Sequence, residues 1–323
     1  MPAFDKIVVV TQPTALEELL RRYNTRDQAR FYLEHNGVPF AGYQAAHDAY
    51  HAALIQLKGF LPAGSRVQFL DRGFLPTFLF GPNDLVVALG RDGLVVNIAK
   101  YLDGQPLVGL NPDPRRIDGV LLKYPVGATG VVLEHVLHGW YTATGVTMAK
   151  ATTNAGQTLY AVNDLFVGQR THTSARYRLS VGGREEDQSS SGIIVSTGAG
   201  STGWFRSLLT GAASVVEGFD TASKQTQRVR AAYQFPWDAD YLYYCVREPF
   251  TSKTSAAELV FGKIAAGETL TITSLMTANG VAFSDGIEAD GLDFISGGVL
   301  TVGVADKKLQ LVTSVGDQGH HHR

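Results

Sequence analysis

The stretch at residues 85–102, LVVALGRDGLVVNIAKYL, sets the fold class of the chain that carries it. Residues 85–89 form an apolar run with the length and branching of a buried parallel strand, and residues 95–102 follow as a helix. Between them Gly90, Arg91, Asp92 and Gly93 make a short turn with a glycine at each end. A strand passing through a glycine turn into a helix leaves backbone N–H groups pointing outward, where anions bind. Asp92 is the anomaly, because a carboxylate repels phosphate unless it binds a metal or takes a proton. Arg91 is the second, a long cationic side chain inside a turn otherwise suited to backbone contact.

The alternation extends to both sides. Residues 7–10 read as the first strand. In TQPTALEELLRRYNTRDQARFYLEHNG, Leu16, Leu19, Leu20 and Tyr23 recur at helical spacing and Gly37 supplies a stop, which predicts one helix. A second is expected over 43–58, then a strand with its exit turn in SRVQFLDRGFLP and another in PLVGLNPDP. Strands alternating with helices predict a parallel sheet covered on both faces. Ligands of such sheets bind beyond the carboxyl ends of the strands, where Asp92 and Asn111 both fall. Beyond Gly119 short alternating segments with frequent Gly, Ser and Thr take over, among them VVLEHVLHGWYTATGVTMAKATT and TLYAVNDLFVG. They predict a mainly antiparallel β domain. The expected division is thus an α/β domain over 1–118, a β-rich domain over 119–316 and a tail over 317–323.

Composition narrows the function. The 323 residues are enough for two domains, and 45% hydrophobic with 18% charged residues is ordinary for a globular protein. A net charge of −2 gives no global basic field, so nucleic acid is not the expected partner. The lone Cys245 fits a reducing, cytoplasmic setting. The start, MPAFDKIVVV, lacks a cationic segment followed by a long apolar core, and no run approaches the ~20 apolar residues that span a bilayer. His35, His47, His51, His135, His138 and His172 show no spacing with Cys245 that suggests structural zinc. His47 and His51, at i and i+4, read as a solvated helix face. The GHHHR ending is a tag remnant or a natural tail, and is set aside.

Two further motifs carry chemistry. In SSGIIVSTGAGSTGWFRS, residues 190–207, a strand leads into a loop where Gly198 and Gly200 permit close approach. Ser196, Thr197, Ser201 and Thr202 offer donors there, which suits a polyphosphate and equally suits a capped strand-to-helix connection. Trp204 either stacks on a base or covers the core. In YAVNDLFVG, Asn163 and Asp164 pair a donor with an acceptor, a fork for ribose hydroxyls or an amide, or else a structural turn. FSDGIEADG reads as a turn with Asp285 in an Asx role. There is no GxSxG element to suggest a serine hydrolase.

In order, GRDG, VGLNPDP, AVNDLFVG, SSGIIVSTGAGSTGW and FSDG resemble the successive signatures of the NAD kinase family. The usual forms are a Gly-Gly-Asp-Gly turn, an Asn-Glu pair and a Ser-Thr-x-x-Gly-Ser-Thr-Ala-Tyr loop. The style is similar to the mitochondrial-type branch and its bacterial relatives. The resemblance implies a Rossmann-like N-terminal domain, a β-rich C-terminal domain and a homodimer or homotetramer. It implies phosphoryl transfer from ATP, or polyphosphate, to the adenosine ribose 2′-hydroxyl of NAD with Mg²⁺ or another divalent metal. Asp92 would then take the hydroxyl proton, and Gly93 would let the dinucleotide approach. Asn163 and Asp164 would hold the nicotinamide-side ribose and carboxamide. Thr202, Gly203, Trp204 and Ser207 would line the adenine and nicotinamide pockets, and Gly90, Arg91, Gly198, Gly200 and Ser201 would meet phosphate or ribose. Arg91 replaces a glycine and Leu94 a threonine, so the ATP side departs from the family. An NAD(P)-binding sensor without kinase activity, or a lipid or sugar kinase of related fold, are the alternatives.

Overall fold

A computed structural model describes residues 4–219 and 224–316, and the histidine tail lies outside them. The chain forms two units, residues 1–144 with 310–323, and residues 145–309.

The first unit is α/β. Its elements run β1 (Lys6–Thr11), α1 (Ala15–Tyr23), α2 (Arg26–His35), α3 (Phe40–Phe60), β2 (Val67–Asp71), β3 (Asp84–Leu89), α4 (Asp92–Ala99), β4 (Pro106–Asn111), β5 (Tyr124–Pro125) and α5 (Thr129–Leu137). The order β2-β1-β3-β4 is parallel throughout, Ile7 facing Val67 on one side and Leu85 on the other. Branched apolar residues fill β1 and β3 because both faces are covered. One face holds Ile7, Val9, Leu85, Val87, Leu89, Val108 and Leu110 against Ala53 and Leu57 of α3 and Val132, Leu133 and Val136 of α5.

The single helix expected before Gly37 is two helices. Asn24 takes a left-handed φ of 63° and Thr25 starts the next helix by accepting from Gln28 N at 3.2 Å. Asparagine tolerates that conformation and threonine caps well, so the chain turns with neither glycine nor proline.

The division also falls later than Gly119. Tyr124 and Pro125 pair with Leu110 and Asn111 of β4, and VVLEHVL, expected as strand, is α5, whose Val132, Leu133 and Val136 form one helical face in the first unit's core. The unit is completed from the far end of the chain: Gln310 and Leu311 pair in parallel with Pro106 and Leu107, and Val312 enters the same core.

The second unit is a β structure with a helical pair: β6 (Tyr141–Thr153), β7 (Thr158–Ala161), β8 (Asp164–Gln169), β9 (Ala175–Val181), β10 (Arg184–Ser190), β11 (Ile193–Ser196), α6 (Trp204–Phe219), α7 (Lys224–Ala231), β12 (Tyr241–Val246), β13 (Phe261–Ala265), β14 (Leu270–Ser274), β15 (Gly280–Ser284), β16 (Ile287–Asp293) and β17 (Val299–Val315). β6 and β17 each cross a unit boundary. The antiparallel order β13-β12-β11-β8-β15-β16 presents Leu165, Val167, Ile193, Val195 and Leu242 to a core shared with Tyr177, Leu179, Leu270 and Ile272 of β9 and β14. The alternate residues Phe166, Ile194, Val281 and Phe283 face the other way, under Trp204 and Leu208 of α6.

Candidate functional site

In the first unit, β2 and β3 leave β1 on opposite sides, so the carboxyl ends of β1 and β3 border a topological switch point. The residues there are tied together. Tyr50 of α3 accepts from Gln12 N at 3.1 Å and donates to Leu89 O at 3.2 Å. A methyl group on Gly90 would meet the Gln12 amide at 3.1 Å and Leu94 Cδ2 at 3.0 Å. Leu94 is therefore core packing, not part of a phosphate surface.

Asp92 opens α4, where a negative charge suits the helix dipole. Its Oδ1 accepts from Leu121 N at 2.8 Å and its Oδ2 from Val120 N at 3.1 Å. Each oxygen keeps a further lone pair. The loop supplying those amides is folded by Asn111, which donates to Ile117 O at 2.9 Å and accepts from Asp113 N at 3.0 Å. Gly119 sits at φ 67°, and a Cβ there would stand 2.6 Å from the Asn111 amide. Asn111, which falls at a strand end as expected, thus shapes the loop that clamps Asp92.

Arg91 caps α4 with its backbone, at φ −116° and ψ 168°. A residue in extended conformation has no need of glycine, so the arginine fits the turn without strain. Its guanidinium is exposed and makes no ion pair among the described residues. Gly93 is exposed, and a Cβ on it would meet nothing within 4 Å.

In the second unit, Asp285 is more than an Asx turn. With φ 55° at Asp285 and 70° at Gly286, the two residues make the left-handed turn of the β15–β16 hairpin. The Asp285 carboxylate instead gathers the N–H groups of Val162 at 3.2 Å, Asn163 at 2.7 Å and Asp164 at 3.3 Å. Asn163 O then accepts from Thr197 N at 3.0 Å, and the Thr197 hydroxyl donates to Val162 O. One carboxylate thereby locks the Asn-Asp pair to the glycine loop.

The loop itself is tightly packed. Ser196, Thr197 and Ser201 are fully buried, and Ser201 donates to Gly198 O at 2.7 Å. A Cβ on Gly198 would stand 1.9 Å from Pro236 O, and one on Gly200 2.1 Å from Asn163 O. Both glycines answer to crossing backbone, so Gly198, Gly200 and Ser201 build the loop. Thr202, Gly203 and Ser207 stay exposed. Trp204 stacks on Phe166, with centroids 5.7 Å apart, and Arg247 lies over its ring. Its packing role is plain.

Asp164 is the unusual ionisable group. Its Oδ1 is sealed from solvent and has no partner among the described residues. Burial pushes its pKa up to about 7, with a smaller contribution from the Asp285 charge and an opposing hydrogen bond from Ser196. A raised carboxyl pKa means that the folded state holds a proton the unfolded chain releases near pH 4. The associated stability is present in full below that value and lost as pH rises through about 7. Asp164→Asn mimics the protonated form, so between pH 5 and 8 the parent is expected to lose on the order of 2–3 kcal/mol relative to the variant. Parallel melting curves across pH test this; equal pH slopes would reject it.

No family model matches the sequence, and no curated protein matches it. Solved structures do match. The crystal structure of a yeast NADH kinase complexed with NADH aligns over 97% of this chain and 84% of its own, with TM-score 0.59 and 12% identity. An NAD kinase from Archaeoglobus fulgidus in complex with ATP aligns over 94% of this chain and 91% of its own, with TM-score 0.53 and 14% identity. At such identities the likeness is one of architecture, and it agrees with the parallel sheet and the antiparallel β unit described above: the chain has the NAD(H) kinase fold.

Proposed function

We propose that the chain belongs to the NAD kinase family and transfers a phosphoryl group from ATP to the adenosine ribose 2′-hydroxyl of NAD. The observation that carries this reading is Asp92, a carboxylate fixed by two backbone amides at the switch point of a sheet with this fold. A ribose hydroxyl is a poor nucleophile and needs a base within hydrogen-bond reach, together with cations near the transferring phosphoryl group. Asp92 supplies the base through the lone pairs its amide partners leave free. Gly93 leaves space for a ligand to come close, and the first N–H groups of α4 face a phosphate.

Mg²⁺ draws most of its oxygens from water and phosphates and needs only one or two carboxylates. The free lone pairs of Asp92 fit that requirement, and the ion would disperse charge on the phosphates when bound. Arg91, exposed and unstrained, offers a fork for a phosphate in place of the family's glycine. Asn163 and Asp164 are the pair for the nicotinamide side, with Trp204 as the apolar wall beside the exposed Thr202, Gly203 and Ser207. The fold's known structures with NADH and with ATP support both substrates. A homo-oligomer in the cytoplasm completes the proposal; among the described residues no helix is long and apolar enough to cross a membrane.

The test incubates the purified chain with NAD, Mg²⁺ and either ATP or polyphosphate and measures NADP. Formation with ATP supports the kinase, and NAD binding without NADP in either mixture identifies the sensor instead. Arg91→Ala should raise KM for ATP roughly tenfold or more, as expected for losing a charged hydrogen bond, while KM for NAD stays within a few-fold. Indifference of both constants would leave Arg91 a surface residue.

A further inference from the structure

Three metal-ligating side chains that the kinase chemistry does not use converge in the first unit. His47 and His51, one turn apart on α3, do not simply face solvent: their rings lie 4.3 Å apart and Glu17 of α1 meets them. We propose that Glu17, His47 and His51 bind a zinc ion, with water in the fourth position.

One donor atom from each residue lies within 4.8 Å of the other two. A tetrahedral zinc about 2.1 Å from each donor draws the donors to about 3.4 Å from one another. His51 Nε2 and Glu17 Oε1 are already at 3.0 Å, inside that spacing. All three residues are half-buried, open enough for an ion to enter.

The donors are also held in place. Thr14 caps α1, and its N–H donates to Glu17 Oε2 at 2.7 Å, which fixes the carboxylate and leaves Oε1 for the ion. The Thr14 hydroxyl bonds His47 Nδ1 at 2.9 Å. Such a bond to one ring nitrogen orients the imidazole and leaves the other nitrogen as ligand, the arrangement usual at metal-bound histidines. A simple ion pair accounts for Glu17 and His51 but gives His47 no part. Two imidazoles and one carboxylate suit zinc better than the hard cations, which prefer oxygen throughout.

Such an ion would clamp α1 to α3 beside Tyr50, the residue that ties Gln12 to Leu89. Because His320, His321 and His322 can also bind zinc, the experiment uses the full chain carrying His320→Ala, His321→Ala and His322→Ala. After equilibration with ZnCl₂ and dialysis, about one zinc per chain is expected by atomic emission, with a melting temperature above that of the chelator-treated protein. Adding His47→Gln and His51→Gln should remove both the retained zinc and the melting shift. No retained zinc in the tail-substituted chain, or undiminished zinc in the double variant, overturns the proposal. Should the double variant fail to fold, Glu17→Gln decides by competition with a chromogenic chelator. Zinc affinity weakened roughly tenfold or more upholds the site, and unchanged affinity overturns it.

Discussion

Replacing Asp92 by asparagine is expected to slow formation of NADP by about 10²–10⁴, the usual loss when a positioned general base is removed. The geometry around it sharpens the expectation. The carboxylate accepts from both Val120 N and Leu121 N, whereas an asparagine presents one oxygen and one NH₂ group to those two donors. One backbone N–H is therefore left facing a donor, at a cost of roughly 1–3 kcal/mol in stability. The variant should melt lower than the parent, yet at a permissive temperature its NAD affinity by calorimetry should stay within a few-fold. A near-parental turnover would remove Asp92 from the chemistry. A turnover loss matched by an equal loss of NAD binding would make it a builder of the loop at residues 111–121 and nothing more.

Gly200→Ala should be strongly destabilising. Its Cβ would stand 2.1 Å from Asn163 O and 2.8 Å from Asn163 Cα, and neither atom can move without displacing the backbone that Asp285 holds. Overpacking of this kind costs about 3 kcal/mol or more when backbone must shift. Urea unfolding should show that loss, together with loss of NAD binding in whatever fraction remains folded. Gly93→Ala is the contrasting case. With nothing near the added methyl group, stability should change by no more than about 0.5 kcal/mol, while NADP formation falls because a ligand is to occupy that space. If Gly200→Ala is as stable as the parent, the crowding at Asn163 O is not a real constraint. If Gly93→Ala is fully active, the space beside Gly93 is not a ligand's.

The sequence shows most clearly what side chains alone decide. The branched apolar runs of β1, β3 and β4 could be read because burial on both faces demands them, and the turn at residues 90–93 because glycine and aspartate mark it. The break between α1 and α2 could not, since an asparagine and a threonine do there what glycine does more visibly elsewhere. The run VVLEHVL is too short for its period to separate helix from strand, and only its partners in the core decide. At the candidate site the hidden parts are backbone groups. Nothing in the identities of Val120 and Leu121 announces that their amides hold an aspartate 28 and 29 residues earlier. Likewise the link from Asp285 to residues 162–164 spans more than a hundred residues and is made by N–H groups every amino acid except proline shares. Gly198 and Gly200 were visible as important, but whether a ligand or a crossing chain requires a glycine is a question of neighbours, which only coordinates answer.

The return of Gln310 and Leu311 to the edge of β4 has a consequence for biosynthesis. When the residues up to 144 have left the ribosome, the hydrogen-bonding edge of β4 at Pro106 and Leu107 still lacks the strand that will cover it, because Gln310 and Leu311 are translated only after the whole of residues 145–309. For the time taken to synthesise everything between, the nascent α/β portion carries an open parallel edge and a core missing Val312. Open edges are templates for unwanted pairing, and contacts between distant parts of a chain form slowly. The α/β portion therefore completes its sheet and core only once residues 310–312 have been made, and until then it needs a chaperone's protection.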